Sequence, residues 1–204
     1  YEAPMDLAVG HYGAEVYGVS SATDGPQLVR VDLSESGVAT ESWPLSAEAA
    51  AVEVIDGCAW GDQVALLFRS HDAVDASWWV ASYTVGVGGP VVTQTLWLGP
   101  GFSFERVGYA VVDGDGVLAL LDGADQVHVY DVQAGAPSPW VVLDASELDD
   151  AVDVASHPTG GVMVVSELGG LLFERTPGGF SAPSEVPHAH RVLATTGWDD
   201  PARD

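Results

Sequence analysis

Apolar positions along this chain fall in short runs, some alternating with polar residues and some almost continuous, each run closed by Gly, Pro, Asp or Ser. That is the pattern of strands punctuated by turns. Residues 117–142 show it most clearly, where VLALLDG, ADQVHVYDVQAG and APSPWVVL read as three successive short strands. Helical periodicity is confined to 46–54 (SAEAAAVEV) and 145–152 (ASELDDAV), each about two turns long. In the second of these, Ser146 stands at an N-terminal cap position. The pattern predicts an all-β chain.

The strands recur as a set. Aligning the second strand of each set places Val16, Val64, Val117 and Val162 in one column, with spacings of 48, 53 and 45 residues. A period near ~45 residues with four strands per unit is the signature of propeller blades. The expected fold is therefore a β-propeller of four-stranded antiparallel blades, or part of one, forming a single domain over 1–204. Its complete blades span about 5–45, 50–98, 104–143 and 149–187, and 188–204 (including RVLATTG) begins a fifth. First strands are small and apolar, as crowding round an axis demands, and second strands such as VALLF and VLALL read as buried on both faces. The third strand alternates, with Val127, Val129 and Asp131 set against His128 and Tyr130, which predicts partial exposure. Fourth strands carry Trp43, Trp97 and Trp140, whose rings can cover a blade's outer flank.

ADQVHVYDVQAG resembles the third strand and following turn of WD-repeat and YVTN-type propellers, where a hydrophobic, aromatic and Asp-containing strand runs into a glycine turn. QLVRVDLSESG echoes it one unit earlier. No unit combines a Gly-His pair with a terminal Trp-Asp or a kelch double glycine with paired aromatics, and there is no sialidase Asp box. The resemblance thus implies architecture and no chemistry.

Charge alters the picture of partners. Thirty acidic residues face six arginines, with no lysine, giving a formal net charge of −24. Such a surface repels nucleic acid and anionic lipid, and no apolar run is long enough for a membrane helix. Neither nucleic-acid binding nor membrane insertion is expected. Solubility in a salty medium or a GC-rich genome would account for the acidity, and so would selection of cationic or basic partners. Cys58 is the sole cysteine, so no intrachain disulfide can form, and VIDGCAWG reads as a buried position. The chain opens on Tyr1 without an initiator Met or a signal pattern, so a leader has been removed or a longer polypeptide cut. With the fold and the missing disulfides, this points to a bacterial secreted, periplasmic or cell-surface protein. The unfinished fifth unit predicts a protein partner or another copy through the terminal edge strands.

Candidate ligand-binding residues lie in loops at the blade ends, 20–26, 70–77, 143–150 and 187–191. They are Asp24, His71, Asp72, Asp75, Asp149, Asp150, His188 and His190, with Asp144 and Glu147 beside them. Together they would make an acidic mouth for a cation, a cationic or carbohydrate ligand, or a basic peptide; equally, they are what solvated loops of so acidic a chain contain. His188 and His190 alone are too few for a metal site, and 113–116 (DGDG) lacks the later ligands of a calcium loop. No nucleophile elbow, phosphate loop, HExxH or dinucleotide fingerprint occurs, so no cofactor and no catalytic residue is assigned. Three functions remain: a non-catalytic binding or protein-interaction module, a carbohydrate-active hydrolase or lyase using a carboxylate pair in the axial mouth, and a structural subunit docking through its unfinished blade.

Overall fold

The computed structural model describes residues 7–12, 15–22, 25–33, 38–45, 52–70, 76–99, 101, 103–112, 115–131, 139–148, 150–156 and 160–187. These residues are all-β, with no helix among them. Four four-stranded antiparallel sheets follow one another along the chain. The first orders β1 (Leu7–Tyr12), β2 (Glu15–Ala22), β3 (Gly25–Asp32) and β4 (Ala39–Pro44). The second orders β5 (Val52–Trp60), β6 (Gln63–Ser70), β7 (Trp78–Gly86) and β8 (Gly89–Gly99). The third contains β9 (Phe104–Val112), β10 (Asp115–Asp122), β11 (Gln126–Asp131) and β12 (Val141–Asp144). The fourth orders β13 (Asp153–Ser156), β14 (Val162–Val165), β15 (Gly169–Phe173) and β18 (Ser184–Pro187). A two-stranded hairpin, β16 (Arg175–Thr176) with β17 (Gly179–Phe180), interrupts that last sheet before its outer strand. Repeated four-stranded meanders of this kind are compatible with propeller blades.

The second strands explain how the sheets stack. In β6, Val64, Leu66 and Phe68 join a core with Tyr17, Val19 and Leu28 of the first sheet. The alternate residues Ala65 and Leu67 turn the other way, into a core with Val107, Tyr109, Leu118 and Leu120 of the third. In β10 the same division holds, since Val117, Ala119 and Leu121 pack with Val154, Val162 and Val164 of the fourth sheet. A strand whose neighbours cover both faces must be apolar at every position. Each fully buried Leu, such as Leu66 or Leu120, contributes on the order of 2 kcal/mol.

First strands meet one another in succession, β1 on β5, β5 on β9 and β9 on β13. β9 and β13 approach closely at Gly108, where a side chain's first carbon would sit 3.1 Å from the Ser156 backbone nitrogen and 3.2 Å from the Ala155 backbone. Small residues are a steric requirement here.

Three expectations are corrected. The third strand β11 is buried from Val127 through Tyr130 and exposed only at Gln126 and Asp131. Tyr130 faces the second-sheet core and Val127 and Val129 face the fourth-sheet core, so alternation in sequence reflects two different buried surroundings. The helix expected at 46–54 is not formed at its end, because Val52, Glu53 and Val54 open β5; the earlier part lies outside the described residues. The helix expected at 145–152 is replaced by a turn after β12, in which the Leu148 N–H donates to the Ala145 carbonyl.

The turn before β11 supplies a polar partner to the buried His128. Asp122 Oδ2 lies 2.8 Å from His128 Nε2, while Oδ1 accepts the Ala124 and Gln126 N–H groups at 2.9 and 3.0 Å. One carboxylate thus closes the turn and partners a buried ring. Asp122→Ala is expected to lower stability by about 2 kcal/mol, and Asp122→Asn by less. Thermal unfolding checks this; equal midpoints for the wild type and the Ala variant would remove the turn's role.

Candidate functional site

Two buried or half-buried aspartates lie on first strands, which contact one another in succession. Asp56 of β5 pairs with Leu67, Asp153 of β13 pairs with Val165, and Val107 of β9 pairs with Leu120. These are equivalent register positions in three sheets, each three residues beyond the aligned column Val64, Val162 and Val117. A bulge at Val54/Asp56 re-aims the β5 strand just there.

Asp56 reaches across to the next sheet, its Oδ2 accepting the Val107 N–H at 2.8 Å. Burial pushes its carboxyl up to about 7, and the charge of Asp153 adds to this, while the Val107 N–H and the Arg106 guanidinium pull the other way. Arg106 repeats the gesture one sheet further on, donating from Nε to the Val152 carbonyl at 3.1 Å and from a terminal nitrogen to the Glu105 carbonyl at 2.8 Å. Asp153 is buried, and its Oδ1 accepts the Val154 N–H at 2.9 Å. Tyr109 of β9 donates its hydroxyl to Gln63 Oε1 at 2.9 Å, a further link between the second and third sheets. Cys58 is buried beside this group, its thiol pushed well up by burial and by the two aspartates. A thiol held protonated is a poor nucleophile.

Of the loop residues expected to line an acidic mouth, Asp24, His71, Asp72, Asp75, Asp149, His188 and His190 lie outside the described residues. Asp150 is exposed with a positive φ of 57°. Asp144 is also exposed, and the Ser146 hydroxyl and N–H hold its carboxyl below the usual range. Among the described residues, no three His, Cys, Asp or Glu side chains converge as metal ligands. Sequence reasoning passed over Asp56, Arg106 and Asp153. The available signal was an Asp at the equivalent position of two first strands, VEVIDGCAW and DVAS.

Tryptophans also stand at or beside the outer strands. Trp97 and Trp140 are exposed and Trp43 is half-buried. Arg30 lies over the Trp43 ring at 5.5 Å, Arg69 over Trp78 at 5.6 Å and Arg175 over Trp140 at 5.7 Å. Three of the four described arginines are therefore placed as cation–π partners of tryptophan. Arg30 also pairs with Glu41 and Glu15, and Arg69 with Glu53.

No protein-family model matches the chain, and no curated protein matches it in sequence.

Proposed function

We propose that this chain is a β-propeller, or a part of one, that works as a non-catalytic interaction module for basic protein partners. The observation that carries the reading is the use made of the central polar groups. Asp56 is bonded to the backbone of β9 in the following sheet and Arg106 to the Val152 carbonyl just before β13, so the polar chemistry at the first strands ties neighbouring sheets together. Recognition then falls to the periphery, where loops and outer strands meet solvent. A net charge of −24 selects the sign of the partner.

A second reading, a hydrolase or lyase, is favoured by one specific feature: Asp56, titrating at about 7, stands in the field of a second carboxylate, Asp153. Unequal carboxylates are the basis of acid–base catalysis on glycosidic bonds. One pair of measurements separates the two. Titration calorimetry with oligoarginine and with oligoglutamate should show binding of the cationic peptide alone, weakening as salt screens the charges. Turnover of any member of a polysaccharide panel, lost in Asp56→Asn, would establish the enzyme instead. Equal behaviour of the two peptides would end the module reading.

A further inference from the structure

The outer strand of the second sheet differs from its counterparts. β8 runs for 11 residues, GPVVTQTLWLG, and contains no charged side chain. β4, β12 and β18 are 6, 4 and 4 residues long, and each carries an acid, Glu41, Asp144 and Glu185 respectively. Short length and charge are the usual means of keeping an edge strand from pairing. β8 has only Pro90 near its start and two register shifts against β7, while β8 ends its sheet among the described residues.

Its two faces are unequal. Leu96 and Leu98 are buried in the core shared with the third sheet. Thr95 and Trp97 on the other face are exposed, Trp97 to 59%, and towards the start of the strand Val91 and Val92 are exposed to 66% and 52%. Trp97 is nonetheless held firmly from behind. Its ring packs on Trp79 at 5.1 Å, and Trp79 stacks on the buried Phe68 at 5.3 Å. A ring fixed on one side and open on the other loses little freedom when something lies on it. Trp43 and Trp140, also on outer flanks, each already carry an arginine of this chain, whereas the ring partner of Trp97 is another tryptophan.

Charge decides among possible occupants. A second copy would set one body of net charge −24 against another. An anionic or neutral strand would gain nothing from the molecule's field. A basic strand gains from the field, from an edge that ends its sheet among the described residues and from the open ring together.

We propose that β8 is a docking edge on which an extended, arginine-bearing segment of a basic partner protein pairs, one guanidinium resting on Trp97. The inference rests on the interaction-module reading and supplies its place and the partner's chemistry.

The test uses the whole chain and a fluorescently labelled peptide of alternating valine and arginine, followed by anisotropy. Saturable binding is expected, weakening with salt. Trp97→Ser is expected to weaken it at least about tenfold. The same peptide N-methylated at alternate residues keeps its charge, cannot pair along an edge, and should bind at least about tenfold more weakly. This second arm leaves the protein unaltered, so a folding defect cannot mimic it. Binding of both peptides equally, by wild type and Trp97→Ser alike, would overturn the β8 site while leaving a cation-binding module in place. Failure of the alternating peptide with retained oligoarginine binding would do the same; failure of both ligands would remove the module reading too. A dimer in sedimentation that Trp97→Ser abolishes would make a second copy the occupant and overturn the proposal.

Discussion

Gly108→Val is expected to lower stability by at least about 3 kcal/mol, because the new side chain has backbone on its far side and nowhere to turn. Its first carbon would stand 3.1 Å from the Ser156 nitrogen and 3.2 Å from Ala155 backbone atoms. A flexible side chain could swing away from such a contact; a paired strand cannot. β13 is fixed against β14 from Asp153↔Val165 to Ser156↔Val162, so yielding at Ala155 means shifting the strand and the core it anchors. Valine adds two methyl groups beyond that first carbon and forces β9 and β13 apart. In thermal unfolding the midpoint should fall by about 6–12 °C. Gly108→Ala should fall in between, since it makes the tight contact without the added branches. Gly86→Ala is the control: its new carbon would have nothing within 4 Å, and the midpoint should hardly change. If Gly108→Val melted with the Gly86 variant, the close approach of the two first strands would be wrong.

The second large effect concerns pH. The Asp56 carboxyl titrates at about 7 in the folded chain against an ordinary 3.8, chiefly because burial disfavours its charge. Between those two values the unfolded chain releases a proton that the folded chain keeps. Folding is therefore favoured by acid across that window, and the stability contribution falls as pH rises, levelling off above the folded value. A shift of this size corresponds to at most about 4 kcal/mol, and about 2–4 once the partial exposure of the residue is allowed for. Acidification also relieves repulsion among the other carboxylates of a chain at −24, so the quantity to measure is the difference between the wild type and Asp56→Asn. Asparagine keeps an oxygen for the Val107 N–H and cannot ionise. Denaturant unfolding should find the variant more stable than the wild type at pH 8 and nearly equal to it at pH 4. Parallel curves for the two proteins across the window would show that the carboxyl is well solvated.

Both effects come from places where sequence alone was a poor guide. Small first-strand residues were expected from crowding, yet nothing in RVGYAVV singles out Gly108. What makes it necessary is the backbone of β13, about fifty residues away along the chain. Asp56 stands in VIDGCAWG, a run that reads as buried, and nothing local shows that from inside β5 it bonds to a strand of another sheet. His128 and Tyr130 read as the solvent face of an alternating strand, and both are buried. Alternation separates the two faces of a strand; it does not say which neighbour covers each one.

The stretch from 117 to 142, where the pattern was clearest, shows the division well. Its strands β10 and β11, the continuous burial of Val117–Leu121 and the antiparallel pairing of successive strands were legible from local chemistry alone, because turn residues and apolar runs act within a few positions. The period of the repeat likewise gave an all-β chain built of four-stranded units. Tertiary structure decided the rest: which sheet each face of β10 meets, which glycine lies against a neighbour, which aspartate becomes buried, and which tryptophan keeps an open face. Those outcomes depend on contacts between residues far apart in the chain, and no local pattern records where a distant backbone will come to lie.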